Sequence, residues 1–122
     1  MTPLLFAAAA AAGGVGAALR YLVDMGVTRM LGARVPWGIL LVNLTGAFTL
    51  GFVSAGIAGV TGVWVIGAGL LGGYTTFSSV SVGTVLLAEE RRAPAAVLYA
   101  VGTFVGSILA AVAGLAVGSL VG

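Results

Sequence analysis

Between Val63 and Leu87 the chain is uncharged and largely apolar. At about 1.5 Å per residue, such a segment is long enough to cross a hydrocarbon core of about 30 Å. Its centre, Gly72-Gly73-Tyr74-Thr75-Thr76-Phe77-Ser78-Ser79, nevertheless disfavours a continuous helix. Each glycine lowers helix propensity by about 1 kcal/mol relative to alanine, and the Thr and Ser hydroxyls compete for backbone hydrogen bonds. A transmembrane helix broken at its middle is therefore expected. Backbone that leaves the helical ladder at bilayer depth is tolerated only where protein buries it or a polar cavity meets it. Its freed carbonyls are cation ligands and its half-helix N-terminus attracts anions, so the break points to a chain that handles ions.

The rest of the sequence agrees with a membrane location. Hydrophobic residues make up 61% and charged residues 7%, against about 45–50% and 25% in soluble domains. Five arginines and three acids cannot clothe a soluble core. The length of 122 residues accommodates four spans of about 20 residues each and no extramembrane domain. We expect one four-helix transmembrane domain over 1–122, with spans near 4–23, 36–57, 63–87 and 95–121. Cysteine and histidine are absent, which removes disulfides, thiolate chemistry, imidazole metal sites and His-based acid–base catalysis. The pI near 9.7 rests on so few charges that it does not indicate nucleic-acid binding.

The first span opens on the alanine run Ala7 to Ala12 with no basic residue before it, so no cleaved signal peptide is expected. Arg20 and Tyr21 near its end suit an interface, and a loop carrying Asp24, Arg29 and Arg34 closes at Pro36-Trp37. In the second span Asn43, Ala47, Gly51, Ala55 and Gly59 recur every four residues, a small-residue face that lets another backbone approach. Asn43 on that face reads either as helix–helix glue or as part of a polar site. The next loop, near 58–62, is short and uncharged. The fourth span repeats the pattern in Gly102, Gly106, Ala110, Gly114 and Gly118, beside a polar stripe of Tyr99, Thr103 and Ser107. Each serine or threonine hydroxyl can bond its own helix, but Tyr99 cannot easily do so, which favours a shared polar path.

If all four segments span, the termini and the middle loop share one side without arginine. The loops near 24–35 and 88–94 hold Arg29, Arg34, Arg91 and Arg92. By the positive-inside rule these loops are expected in the cytoplasm and both termini outside.

These residues together resemble the Fluc (CrcB) family of fluoride channels. The resemblance runs through Gly13-Gly14-x-Gly16-Ala17-x-x-Arg20-Tyr21, Trp37-Gly38-x-Leu40-x-Val42-Asn43-x-x-Gly46-x-Phe48, and the Gly72 to Ser79 motif. It implies a bacterial plasma-membrane protein that exports fluoride passively, assembled as an antiparallel dimer with two narrow pores along the interface. It implies a structural sodium ion at the dimer centre, held by backbone carbonyls that map to Gly72 and Thr75. The fluoride path maps to Asn43, Phe77, Ser78, Ser79, Tyr99, Thr103 and Ser107. Phe77 would meet the anion with its ring edge, the positive part of the ring quadrupole. Arg20 maps to a pore vestibule, where its charge would draw anions in.

Three positions depart from the family pattern. Val80 stands where a second phenylalanine is expected, Gly83 where an acid is, and Ile39 where a threonine is. The one-sided arginines fit the family's paired paralogues better than its single dual-topology members. The resemblance therefore implies a dimer of the chain with itself or, in better accord with the arginines, with a paralogous subunit, in which one pore is complete or the partner supplies the missing groups.

Two other functions account for parts of the sequence. A small multidrug-resistance-type exporter needs a membrane-embedded carboxylate, whereas Asp24, Glu89 and Glu90 lie near loops. A non-transporting subunit that packs beside a larger membrane protein would explain the glycine faces but not the mid-span break. No nucleophile sits beside a plausible base, so an enzyme is not expected.

Overall fold

The computed structural model describes residues 2–57 and 59–121, and the regular structure among them is entirely helical. The Thr2 hydroxyl accepts the Leu5 N–H at 3.1 Å and Pro3 opens α1 (Pro3–Leu31), both standard devices for starting a helix. α1 has no breaker before Gly32, whose φ of 84° takes the backbone out of the helix. The helix thus runs through the segment expected as a loop, and Asp24 and Arg29 lie on its last turns. With 29 residues it is about 43 Å long, more than a hydrocarbon core requires.

α2 (Trp37–Phe52) follows a short turn and passes into a wider, π-helical turn at Val53–Ile57. Of the expected 58–62 loop, Ala58 lies outside the described residues and Gly59–Gly62 forms α3, begun by Gly59 at φ 69°. A second π-helical stretch, Val63–Leu71, leads to the single turn α4 (Gly72–Tyr74). α5 (Ser78–Glu89) resumes after the break at 75–77, and α6 (Ala93–Val121) completes the fold. Pro3–Leu31, Trp37–Ala55, Val63–Glu89 and Ala93–Val121 are long and apolar enough to cross a membrane. The protein is an all-α, multi-pass membrane protein. Its outer surface is accordingly apolar, with Leu98 73% and Phe104 68% exposed.

The helices are held by backbone approach rather than by a thick core. A methyl group at Gly51 would drive into the Ala111 carbonyl, and one at Gly114 into the Phe48 carbonyl, so α2 and α6 interlock through glycines on both sides. On the other side of α2, Gly16 of α1 lies against the Leu70 carbonyl, while Gly73 lies against Gly13. Glycine at such crossings allows close van der Waals packing, the main attraction between helices in lipid. The α6 stripe is not used uniformly: Gly114 and Gly118 pack on α2, but nothing lies within 4 Å of a methyl placed at Gly102.

Both arginine-bearing loops lie at one end of the molecule. The Arg92 guanidinium reaches the Arg34 backbone carbonyl and also pairs with Glu90 at 3.7 Å.

Candidate functional site

The break at 75–77 forms because two helical N–H groups find other acceptors. In an unbroken helix Thr76 N–H would bond the Gly72 carbonyl; here it donates to Asn43 Oδ1 at 2.8 Å. Asn43 Nδ2 in turn donates to the Thr76 carbonyl at 2.9 Å. The Asn43 amide therefore pairs with one residue's backbone in both directions, as a neighbouring strand would. Ser79 N–H, which an unbroken helix would direct at the Thr75 carbonyl, donates instead to Thr76 Oγ1 at 3.2 Å. Thr76 is the pivot: its backbone is clamped by Asn43 and its hydroxyl caps α5, with Ser78 and Ser79 hydroxyls 3.3 Å away. Asn43 is 8% and Thr76 8% exposed, so these bonds are shielded from water and correspondingly costly to lose.

The diversion of those two donors releases the Gly72 and Thr75 carbonyls from the helical ladder. Carbonyl oxygens are the donor type that hard cations take, and among the described residues no group of three or more His, Cys, Asp or Glu could hold a metal ion. The neighbouring turn is secured separately. Thr75 Oγ1 donates to the Leu71 carbonyl at 2.9 Å, and the Tyr74 hydroxyl meets Thr45 Oγ1 at 3.0 Å.

Beside the break an open groove of about 780 Å³ runs between α2, α5 and α6. Of the residues expected along an ion path or at the cation, Asn43, Gly72, Thr75, Phe77, Thr103 and Ser107 line it together. Phe77 is 84% exposed there, its ring bare to the groove. Ser78, Ser79 and Tyr99 are not in the lining, and neither is Arg20, which is half-buried on α1. Thr103 donates to its own helix at Tyr99 O, 2.7 Å away. Thr76, Ser81 and Thr84 line the groove although sequence reasoning did not select them. Ser81 and Thr84 stand four and seven residues after Phe77 on one helix, a spacing that would have placed them on its face.

Tyr99 belongs to a buried cluster with Ile39, Val80, Leu87 and Ala96, and a methyl at Gly83 would lie 3.1 Å from its ring. Ile39, Val80 and Gly83, the three departures noted in the sequence, therefore meet at one place. Together they wrap the Tyr99 ring in apolar atoms, and its hydroxyl is buried without a hydrogen-bond partner among the described residues.

Comparison with known proteins agrees with the motifs. A family described as CrcB-like protein, Camphor Resistance (CrcB), matches residues 7–115. A protein of Leifsonia xyli subsp. xyli named fluoride-specific ion channel FluC 1 is 40% identical over 124 residues, covering 98% of this chain and 90% of its own. A fluoride-specific ion channel FluC of Rhodospirillum centenum is 41% identical, over 89% of this chain and 90% of its own. Fluoride-specific ion channel FluC 2 of Nitrobacter hamburgensis is 38% identical, over 85% of this chain and 88% of its own.

Proposed function

Because the chain belongs to the CrcB family, we propose that it is a subunit of a fluoride channel that lets the anion leave the cytoplasm down its electrochemical gradient. The observation that carries this reading is the Asn43-clamped break, which sets the exposed Phe77 ring beside a groove lined by hydroxyls. A family of ion channels is not a class of enzymes, and no substrate chemistry is needed here. Passage requires donors that replace part of fluoride's hydration shell without holding the ion tightly. The second Asn43 amide hydrogen, Ser107 and the hydroxyls beside the break supply them, with Ser78, Ser79 and Tyr99 completing the path in the assembled channel; Thr103 lines it while its own hydrogen stays on the Tyr99 carbonyl. Arg20 stands at its vestibule. Asp24 lies against Gly38, the second residue of α2, and so at a helix end rather than at mid-depth, where an exporter's carboxylate would act.

The groove is closed by a second subunit in antiparallel orientation. Two subunits bring four released carbonyls, from Gly72 and Thr75 of each, around a sodium ion at the dimer centre. The ion would neutralise the carbonyl dipoles gathered there and tie the two breaks together. The partner is a paralogue. Nitrobacter hamburgensis has relatives named both FluC 1 and FluC 2, and the apolar wrapping of Tyr99 leaves one path short of polar groups. The arginine-bearing end faces the cytoplasm, with both termini outside.

Efflux from liposomes, with chloride as the control anion, tests the function. The expected result is fluoride flux when this chain is reconstituted with its paralogue and little from the chain alone. Flux from the single chain would replace the heterodimer by a homodimer, and no fluoride flux in either case would remove the function.

Phe77→Ile keeps bulk at the groove edge and removes the ring. We expect fluoride flux to fall at least about tenfold, since loss of about 1.4 kcal/mol of ion stabilisation suffices for that. Unchanged flux with the complex intact would refute the edge-on role.

A further inference from the structure

Tyr74 is the last helical residue before the break, and it stands between Gly72 and Thr75, the two residues whose carbonyls leave the ladder. Three contacts hold it. A methyl at Gly16 of α1 would lie 2.8 Å from its backbone nitrogen, and one at Gly46 of α2 would lie 3.1 Å from its ring. Its hydroxyl meets Thr45 Oγ1 of α2 at 3.0 Å. The two glycines let the turn come close without prescribing how it is rotated, whereas a hydrogen bond has a preferred direction.

Which oxygen donates follows from the neighbours of Thr45. Its single hydroxyl hydrogen goes to the carbonyls of its own helix, Leu41 at 2.8 Å and Val42 at 3.1 Å. Thr45 Oγ1 is therefore the acceptor, and the Tyr74 O–H is the donor. Thr45 lies near the middle of the span Trp37–Ala55, on a face it shares with the exposed Leu41 and Phe48. At that depth neither hydrocarbon nor another apolar face supplies a water to take the Tyr74 hydrogen in its place.

We propose that Thr45 and Tyr74 are a positioning pair that holds the α4 turn so that the Gly72 and Thr75 carbonyls stay free for a monovalent cation. Asn43 grips the far side of the break at Thr76, and Thr45 grips the near side at Tyr74. The two α2 residues are two apart, so they point to different sides of their helix and restrain the segment from two directions. Gly46, one residue on, lets the Tyr74 ring cross α2 to reach Thr45. The consequence for the cation rests on the sodium site proposed above, but the hold on the turn does not.

Tyr74→Phe keeps the ring over Gly46 and removes the donor, Thr45→Val removes the acceptor, and Thr45→Ser keeps it. Hydrogen–deuterium exchange of the backbone amides over 72–77, read by mass spectrometry on the purified complex, tests the hold on the turn. Exchange is expected to quicken about threefold in Tyr74→Phe and in Thr45→Val, the average worth of a hydrogen bond between membrane helices. The double variant should be no faster than either, and Thr45→Ser should exchange as the parent does. Unchanged exchange in Tyr74→Phe, or additive effects in the double variant, would overturn the proposal. The second readout is the sodium concentration that half-saturates thermal stabilisation of the complex, with N-methylglucamine as the replacement cation. Tyr74→Phe is expected to raise it about threefold. Faster exchange with an unshifted half-saturation would show that the pair does not position the carbonyls. Sodium without effect on the parent, alongside faster exchange in the variants, would reject the cation site and keep the hold on the turn.

Discussion

Asn43→Ala is expected to abolish fluoride efflux and to lower the thermal stability of the purified complex together. The substitution removes both hydrogen bonds to Thr76 and leaves its N–H and its carbonyl unpaired in a buried place. Each stranded group costs about 1–3 kcal/mol, so the pair amounts to about 2–6 kcal/mol. That is a large share of the roughly 5–15 kcal/mol by which folded domains are commonly stable. Were Thr76 N–H to recover its helical acceptor at Gly72, its share of that cost would be escaped, but the break would be drawn back into the ladder and flux lost all the same. Asn43→Asp discriminates further: it retains an acceptor for Thr76 N–H but sets a carboxylate oxygen against the Thr76 carbonyl, so it too should lose flux. Thermal unfolding in detergent alongside liposome efflux checks both effects. An Asn43→Ala complex as stable as the parent would show that the amide does not hold the break.

Gly114→Ala should be more damaging to folding than any single change on the outer surface. Its new methyl meets the Phe48 carbonyl and the Phe52 backbone nitrogen, atoms that cannot swing aside as a long side chain would. Overpacking of this kind costs about 1–3 kcal/mol even where side chains can adjust. We expect the variant to accumulate poorly in membranes and to unfold at lower temperature. Gly102→Ala is the matched control on the same helix. Its methyl meets nothing within 4 Å, and the gain in helix propensity approaches about 1 kcal/mol. Equal stability of the two variants would mean that α2 and α6 do not interlock as described. If Gly102→Ala folds but no longer pairs with a second subunit, the open part of the α6 stripe lies in the subunit interface.

The comparison of sequence and structure is most informative where it fails. The expected end of the first span was set by Asp24, read as a loop residue, yet two charges do not stop a helix that lacks a breaker. Gly32 stops it instead. In the sequence Asn43 reads either as helix glue or as part of an ion path. The structure shows it bonding backbone of a broken segment, a third role that its position on a small-residue face did not suggest. Tyr99, Thr103 and Ser107 formed one stripe on paper. In the fold Tyr99 turns into the apolar cluster, while Thr103 and Ser107 face the groove. The π-helical stretch at Val63–Leu71, in which Gly72 N–H bonds the Gly67 carbonyl five residues back, left no pattern that periodicity detects.

By itself the sequence determined the membrane location, the number of spans, the break after Gly72-Gly73 and the family motifs. Those properties are carried by hydropathy, charge and residues adjacent in the chain, so they can be read in one dimension. Only the tertiary structure decided that Asn43 clamps Thr76 across 33 residues, which glycines of each stripe bear a crossing helix, and that Ile39, Val80 and Gly83 all close on Tyr99. Such contacts depend on how segments far apart in sequence pack side by side. Where helices touch through backbone at glycines, no side-chain pattern records which glycine meets which partner.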